Sequence, residues 1–401
     1  MSISTFLDKS QEEAIQYISN LVNGHRISTE RHLALNFCKK ILEDDKIKHK
    51  ANGRVIAAVR KQIDAEITSL SVGRLSLFSH DDTAASIQTA LSSGNFSGET
   101  FHVDSLSFTG DLTVFGDNIT IIGSHTGSAI SKDISCSCSV AGTLKIKGDG
   151  IKIKGVQFDS NASRSLEFPT ASSDLVLEDC IFNGKQSDSD SKFWYGPNYS
   201  GDFTISNCKI TNHQSWYLAD FNSTSSVPVT KLKIGKIEKC WFSNNLGSMA
   251  FRGKTDESND SFQFTNNIVE STNRHQYFWS VIEANHTKNL KFNNNVIDFG
   301  TPVAGKTQGA FQCWNRFETF SIECTGNTIK GLNLVFQWPI NSDFKMPSVT
   351  ASFEANEISN TPNLGSHNYP WDSNTALTVT PPSITNNTGL PIVPIQNFVV
   401  T

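Results

Sequence analysis

The hydrophobic and polar residues of this chain follow an eight-residue pattern that recurs from residue 151 onward. Position 3 of the pattern is apolar in every copy, and position 8 is apolar in all copies except the last, where it is Gly389. The nine copies are IKIKGVQF (151–158), LVLEDCIF (175–182), FTISNCKI (203–210), GKIEKCWF (235–242), FQFTNNIV (262–269), LKFNNNVI (290–297), IECTGNTI (322–329), ASFEANEI (351–358) and PSITNNTG (382–389).

Each copy predicts two short strands joined by a tight bend. Positions 1 and 3 alternate as one face of a strand does, and so do positions 6 and 8. Positions 3 and 6 are three residues apart, so in one continuous strand their side chains would point to opposite faces. A two-residue bend at positions 4 and 5 would let the apolar side chains of both strands point into the interior. Asparagine, glycine and aspartate, which are frequent there, tolerate the left-handed backbone that such a bend needs.

Position 6 predicts a vertical file of side chains, because the copies recur every 24 to 32 residues, a spacing typical of a solenoid. We expect its asparagines to hydrogen-bond to one another up the stack. Its cysteines suit a small apolar corner; a metal or redox cluster is the alternative, but the short CxxC pairs it needs are absent. The file comprises Val156, Cys180, Cys208, Cys240, Asn267, Asn295, Asn327, Asn356 and Asn387.

A further strand-like segment follows each corner, which predicts three strands per coil with connections of variable length. Variable connections of this kind are where binding and catalytic residues usually lie. The segments are FWYG (193–196), WYLADF (216–221), MAFRG (249–253), YFWSVIEAN (277–285), FQCWNR (311–316) and LVFQWPIN (334–341).

Residues 8–67 differ from the rest of the chain and predict helices. The segment DKSQEEAIQYISNLVN places Ile15, Ile18 and Leu21 near one helical face, and Asn52-Gly53 interrupts the helical pattern. We therefore predict a mainly β protein with a helical attachment or oligomerisation segment at 1–70, a solenoid body at 71–395 and a tail at 396–401.

The apolar columns, corner asparagines and coil length resemble the right-handed parallel β-helix of the pectate lyase-like superfamily. The segment SLFSHDDTAASIQTAL (76–91) is similar to one in many phage tailspikes, where a short helix caps the open end of the β-helix. The resemblance implies such a capping helix near 81–92, with Asp81 or Asp82 as N-cap and Ile87, Ala90 and Leu91 buried.

The same resemblance implies a homotrimeric spike of a bacteriophage virion. Its N-terminal segment would contact other virion proteins, and its side surface would contact a host cell-surface polysaccharide. No cofactor or metal is expected, because the sequence shows neither short CxxC pairs nor a cluster of aspartates that would bind Ca²⁺. The chain shows no secretory leader, which agrees with assembly in a host cytoplasm.

Charge and hydropathy exclude two other classes of function. The net charge of −5 gives no concentrated basic face, so no nucleic-acid partner is expected. No apolar run reaches the ~18 residues of a membrane-spanning helix.

Cleavage of a glycan requires two carboxylates, or a base with a cation. Asp220 and Arg252 both lie 12 residues after position 6 of their coils, and Glu283 lies in the next aromatic strand. We therefore predict Asp220, Arg252 and Glu283 as a catalytic column. A solvated ladder of ion pairs is the alternative interpretation. Weaker candidates in the neighbouring loops are His213, His275, Arg316 and Glu318.

Aromatic side chains give a separate indication of carbohydrate binding, because their rings match the apolar faces of sugars. The aromatic residues concentrate in the variable half of the coils, although some of them are expected inside the solenoid. The predicted carbohydrate-binding residues are Trp194, Tyr195, Trp216, Tyr217, Tyr277, Trp279, Trp314 and Trp338, with Tyr199 and Trp371 as further members of the group.

Three functions are therefore open at the level of sequence. The first is a tailspike or adhesin that binds a host polysaccharide. The second is a depolymerase, either a hydrolase or a lyase, on the same body. The third is a structural virion protein in which the β-helix is only a rigid spacer.

Overall fold

A computed structural model describes most of the chain between residues 83 and 388. The described residues are 83–160, 163–196, 198–220, 232–252, 259–271, 274, 278, 280–285, 287–304, 308–312, 319–337, 348–361, 363–366, 383–385 and 388. The helices predicted within 8–67 and the predicted tail lie outside them.

The described residues form a parallel β-solenoid with three strands per coil and a single short helix at its N-terminal side. This confirms the predicted mainly β, coiled architecture. The strands are numbered in chain order and belong to three long sheets. In each sheet every strand pairs in parallel with the equivalent strand of the neighbouring coils.

The first sheet has eleven strands, of which the nine from β9 onward hold residues from positions 1 to 4 of the sequence pattern. These are β1 (Thr100–His102), β4 (Thr120–Ile122), β9 (Lys152–Lys154), β12 (Ser172–Glu178), β15 (Tyr199–Ser206), β18 (Leu232–Glu238), β21 (Asn259–Thr265), β24 (Thr287–Asn293), β27 (Thr319–Thr325), β30 (Ser348–Glu354) and β33 (Ser383–Thr385).

The second sheet follows the corner and has ten strands. These are β2 (Ser107–Thr109), β7 (Cys138–Ala141), β10 (Val156–Asp159), β13 (Ile181–Asn183), β16 (Lys209–Thr211), β19 (Trp241–Ser243), β22 (Ile268–Glu270), β25 (Val296–Asp298), β28 (Thr328–Lys330) and β31 (Glu357–Ser359).

The third sheet contains the aromatic strands and also has ten members. These are β3 (Leu112–Phe115), β8 (Leu144–Lys147), β11 (Arg164–Glu167), β14 (Lys192–Tyr195), β17 (Tyr217–Asp220), β20 (Ser248–Arg252), β23 (Ser280–Asn285), β26 (Gly309–Gln312), β29 (Leu334–Gln337) and β32 (Asn363–Ser366).

Helix α1 (Ala84–Ser92) packs on the N-terminal end of the solenoid. It buries Ile87, Ala90 and Leu91, as predicted. Its N-cap is Thr83, whose side-chain oxygen accepts a hydrogen bond from the Ser86 N–H at 3.2 Å. The cap therefore lies one or two residues after the predicted Asp81 or Asp82. Threonine can serve as the N-cap because its side-chain oxygen accepts a hydrogen bond from an N–H of the first helical turn, as an aspartate side chain does.

The corner between the first and second sheets lies one residue later than predicted. Position 4 still belongs to the first sheet, and position 5 carries the left-handed backbone, with φ between 49° and 66° in all eight described copies. Glycine occupies this place in Gly155 and Gly326, and asparagine in three other coils. One left-handed residue followed by position 6 is enough to turn the chain, so no two-residue loop is needed.

A segment before the regular coils crosses the outer face of the second sheet. Residues 123–137, here called the strap, contain the antiparallel pair β5 (His125–Thr126) and β6 (Ser135–Cys136). Ala129 and Ile134 of the strap pack against Ile181, with Trp241 at the edge of this cluster. The strap is also bonded to coils further along the chain, because the Ala129 N–H donates to Asn207 Oδ1 at 2.8 Å.

Candidate functional site on the outer face of the third sheet

The register of the third sheet separates its inner face from its outer face. Trp194, Ala219, Met249, Ile282 and Phe311 are Cα partners from strand to strand, and all five are buried in the core. Neighbouring residues of a strand point to opposite faces. The next residue in each strand therefore belongs to the outer face. This row, here called the outer column, consists of Glu167, Tyr195, Asp220, Ala250, Glu283 and Gln312.

The N-terminal half of the outer column combines aromatic rings with cations. The Arg164 guanidinium lies over the Tyr195 ring at 3.8 Å, and the Lys192 ammonium lies 5.6 Å from the same ring. Arg164 also forms an ion pair with Glu167 at 3.1 Å. These contacts hold the partly exposed Tyr195 ring against the sheet, so its position is fixed before any ligand binds.

Trp216 and Tyr217 form a second aromatic pair at the start of the next strand, four and three residues before Asp220, the Cα partner of Tyr195. Their ring centroids are 4.8 Å apart with an interplanar angle of 55°. The Trp216 side chain is 43% exposed, and Tyr217 is partly exposed. Tyr217 belongs to β17, the strand that pairs with the Tyr195 strand. Three of the predicted carbohydrate-binding aromatics are therefore partly or largely exposed: Tyr195 on β14, Tyr217 on β17 and Trp216 directly before β17.

Trp194 is a correction to the predicted sugar-binding set. Its side chain is 0% exposed and packs against Phe168, Tyr199 and Phe203 at centroid distances of 4.7, 5.0 and 5.3 Å. Both Phe193 and Trp194 are buried, so strict alternation fails at this point of β14. Tyr199 is buried as well, and its burial raises the pKa of its phenol. The other predicted aromatics, Tyr277, Trp279, Trp314, Trp338 and Trp371, lie outside the described residues.

The predicted column of Asp220, Arg252 and Glu283 also needs correction. Asp220 pairs with Ala250, and Ala250 pairs with Glu283, whereas Arg252 pairs with Asn285. Asp220 and Glu283 therefore share the outer column two strand steps apart, and Arg252 is two residues further along its strand. The connection before β17 is one residue longer than the one before β20, and a register shift between Tyr217 and Ala219 adds the second residue.

Glu283 and Gln312 are Cα partners in adjacent strands of the outer column, and both are deeply buried. Glu283 is 3% exposed and Gln312 is 4% exposed. Gln312 did not emerge from the sequence, because an amide in a strand carries no motif. Only the register, which depends on loop lengths, places it beside the predicted Glu283.

His213 lies inside the corner between the second and third sheets, not in a surface loop. Its Nδ1–H donates to Asn245 Oδ1 at 3.2 Å, and Ser165 Oγ donates to its Nε2 at 2.9 Å. Burial lowers the pKa of His213 to about 3, so the imidazole is neutral. Ser165 and His213 are both 0% exposed, so this Ser–His–Asn relay has no access to a substrate and supports the corner instead. His275, Arg316 and Glu318 lie outside the described residues.

The residues of the position-6 file stand one above another in the core. The N–H groups of Cys180 and Cys208 point at the sulfur atoms of Cys208 and Cys240, at 3.4 and 3.5 Å. The Cys240 N–H donates to Asn267 Oδ1 at 2.9 Å, which joins the thiols to the asparagines. Asn295, Asn327 and Asn356 continue the file, which begins with the buried Val156; Asn387 lies outside the described residues.

The buried thiols of the file are poor candidates for metal ligands, since a ligand thiol must lose its proton. Burial raises the pKa of Cys180 and Cys208 well above the ordinary value for a thiol. Within the described ranges, no three histidine, cysteine, aspartate or glutamate residues converge as metal ligands would. The buried, hydrogen-bonded side chains of the file pack the corner between the first and second sheets.

Comparison of the chain with protein-family models, with curated proteins and with solved structures found no match. Among the helices that the structure describes, none has the length and hydropathy to cross a bilayer.

Proposed function

We propose that this chain recognises a cell-surface polysaccharide along the outer face of the third sheet, as the body of a tailspike-type receptor-binding protein of a virion. One observation carries the proposal: Tyr195 lies at the surface in an outer column that also has acidic and amide residues, and Trp216 and Tyr217 lie at the start of the strand that pairs with the Tyr195 strand. Rings that offer apolar faces next to polar groups suit a sugar chain, which has both surfaces.

The solenoid supports the proposal through its geometry. Strands of neighbouring coils are about 4.8 Å apart, so the outer column presents one residue at each step of about that length. A pyranose unit of a glycan has a similar length, and a chain that lies along the column meets successive side chains in order. A spacer would not need surface aromatics fixed by cations, as Tyr195 is by Arg164.

The experiment is binding to a panel of bacterial O-antigen and capsular polysaccharides, with Trp216→Ala as the test variant. We expect a loss of affinity of about five- to thirtyfold, because a stacked ring contributes on the order of 1–2 kcal/mol. Phe115→Ala is the matched control, since Phe115 is 47% exposed on the same sheet but four strands away. Equal losses in both variants, or no binding by the unchanged protein, would exclude recognition at this site.

Depolymerisation is the second candidate function, and the shared register of Asp220 and Glu283 favours it. Two strand steps place their Cα atoms about 9.5 Å apart, near the upper limit of ~6.5–9.5 Å for the carboxyl groups of inverting glycosidases. In such a hydrolysis one carboxyl protonates the leaving oxygen, and the other takes a proton from the attacking water. New reducing ends that appear with the unchanged protein but not with Glu283→Gln would establish the activity.

A further inference from the structure

The strap (residues 123–137) is an insertion into one corner of the coil formed by β4, β7 and β8. In the next coil the same corner needs no insertion, because Gly155 at position 5 is followed directly by Val156 at position 6. Cys138, which follows the strap, is the Cα partner of Val156. A Cβ added at Gly123 would lie 3.2 Å from the Cβ of Cys138, so the two ends of the strap are close together. The coil could therefore close without the strap.

The strap is a hairpin that is held in shape by its own hydrogen bonds. The hydroxyl oxygens of Thr126 and Ser135 are bonded to each other at 2.8 Å, and the Ser128 N–H donates to Asp133 Oδ1 at 2.8 Å. Gly127 has a φ of 73°, and a Cβ there would lie 2.5 Å from the Asp133 carbonyl oxygen, so the turn requires glycine. The strap therefore keeps its shape between its points of attachment.

The middle of the strap is hydrogen-bonded to a coil well beyond its own. Ser128 Oγ and the Ala129 N–H donate to Asn207 Oδ1 at 3.0 and 2.8 Å. Asn207 Nδ2 donates in turn to Asp179 Oδ1 at 2.6 Å, and Asp179 Oδ2 lies 3.5 Å from His125 Nε2. These contacts join the strap to the coils of Asp179 and Asn207 together.

The far end of the strap reaches a coil further along. Lys132 forms an ion pair with Glu270, 138 residues later in the chain, and its ammonium lies 5.9 Å from the Trp241 ring. Trp241 Nε1–H donates to Glu270 Oε2 at 3.2 Å, which fixes the carboxylate. Beneath the strap, Ile134 packs against Ile181, and the two are 6% and 5% exposed.

These attachments span a large part of the stack. Glu270 belongs to the coil of Phe264, five strand steps from the coil of Ile121 that carries the strap, a distance of about 24 Å. The Cα partners along this path are Ile121, Ile153, Leu177, Ile205, Ile237 and Phe264. Coils of a solenoid otherwise contact only their neighbours, so groups of coils can open separately.

We infer that the strap is a clasp that makes the coils from β4 to β22 open as a single unit. A coil in this range cannot separate from the stack while the strap stays docked, because the contacts at Ile181, Asn207 and Glu270 would break with it. The strap can dock only after these coils have stacked, since its attachment points lie on them. A contact that closes so long a loop also reduces the entropy of the partly opened chain, which disfavours opening.

The test is hydrogen exchange of the full chain, read by mass spectrometry, which compares residues 144–158 with residues 259–270. We expect similar protection factors, within about threefold, in the unchanged protein. Deletion of residues 124–137 joins Gly123 to Cys138 as Gly155 is joined to Val156. In this variant we expect residues 144–158 to exchange at least about tenfold faster than residues 259–270.

Two substitutions complete the test. Ile134→Ala weakens the docking of the strap and leaves every coil residue in place, so we expect residues 144–158 to exchange at least about threefold faster than residues 259–270. Val140→Ala is the control, because Val140 is buried in the coil that carries the strap and makes none of the strap contacts described above. It should lower both protection factors together and leave their ratio unchanged.

An unchanged ratio in both the deletion variant and Ile134→Ala would overturn the clasp and make the strap a surface insertion. A deletion variant that does not fold leaves the decision to the ratio in Ile134→Ala. Faster exchange of residues 144–158 alone in Val140→Ala would show that the coils open separately under a docked strap, which also contradicts the inference. Binding of a polysaccharide by the third sheet is decided independently of these results.

Discussion

Asn295 Oδ1 accepts two hydrogen bonds from Asn267 in the neighbouring coil, one from the backbone N–H at 3.0 Å and one from Nδ2 at 3.2 Å. Asn295 in turn donates to Asn327 Oδ1 at 3.0 Å and to the Phe264 carbonyl at 2.9 Å. The Asn295 side chain thus bonds the corner of the preceding coil and the asparagine of the following coil. A buried asparagine such as Asn295 is stable in this apolar column because its side-chain oxygen and nitrogen are both hydrogen-bonded.

Replacing Asn295 with leucine should destabilise the solenoid by at least ~3 kcal/mol, because the backbone N–H and Nδ2 of Asn267 and Asn327 Oδ1 each lose a hydrogen bond in the core. Urea unfolding followed by circular dichroism measures the change. The control is Asn289→Leu, an exposed asparagine of β24, the strand that precedes the Asn295 corner. A loss below ~1 kcal/mol for Asn295→Leu would show that the asparagines are not the element that holds the corners.

Cys240 should accept asparagine with little change in stability. Its sulfur lies 3.6 Å from the Ile205 carbonyl, which corresponds to the Ile237 carbonyl that receives Nδ2 of Asn267 at 3.0 Å. An asparagine at position 240 would therefore find the Ile205 carbonyl as the acceptor for its Nδ2 and the Cys208 N–H as the donor for its Oδ1. We expect Cys240→Asn to unfold within ~1 kcal/mol of the unchanged protein. Unfolding at a much lower urea concentration would mean that the cysteine corner has a different shape.

Lys239 carries avoidable backbone strain at position 5. Its φ is 56°, in the left-handed region, where asparagine stands in the equivalent position of three other coils. Lysine is unfavourable in that conformation by ~1 kcal/mol, and asparagine tolerates it better. Lys239→Asn should therefore raise the melting temperature by a few degrees. Lys236→Asn, on the neighbouring strand in extended backbone, should give no such gain.

Stability should fall as the pH is lowered because of His213. The pKa of this imidazole is about 3 in the fold against an ordinary value of 6.5, so the unfolded chain binds a proton that the folded chain does not. The contribution is fully present above pH ~6.5 and is lost progressively as the pH falls toward ~3. His213→Gln should flatten the dependence of unfolding free energy on pH in this window. An unchanged slope would mean that His213 does not titrate as a buried neutral group.

The sequence pattern predicted the corner between the first and second sheets, but it did not predict which outer-face residues of the third sheet lie level with one another. The reason is physical. Inward residues such as Ile237 and Phe264 repeat because each must fit the core directly above its neighbour, so their spacing reveals the coil. The outer face obeys no such constraint. The loops before β17 and β20 differ in length, and a register shift within β17 moves Asp220 level with Ala250, which residue counting cannot detect.

The strap and Trp194 were missed for related reasons. The strap packs Ala129 against Ile181, a contact between residues far apart in the chain that no local pattern encodes. Phe193 and Trp194 are buried in succession because the chain enters the third sheet at a corner, where alternation does not hold. Local periodicity therefore locates regular strands, and tertiary packing decides which aromatic rings reach the surface.

The placement of every outer-face residue depends on the vertical file, and sulfur anomalous diffraction from a crystal of the protein tests that file directly. The account predicts that the sulfur atoms of Cys180, Cys208 and Cys240 appear as three peaks in a nearly straight row, about 4.8 Å apart. Three peaks separated by more than about 10 Å, or lying off a common line, would contradict the stacked coils.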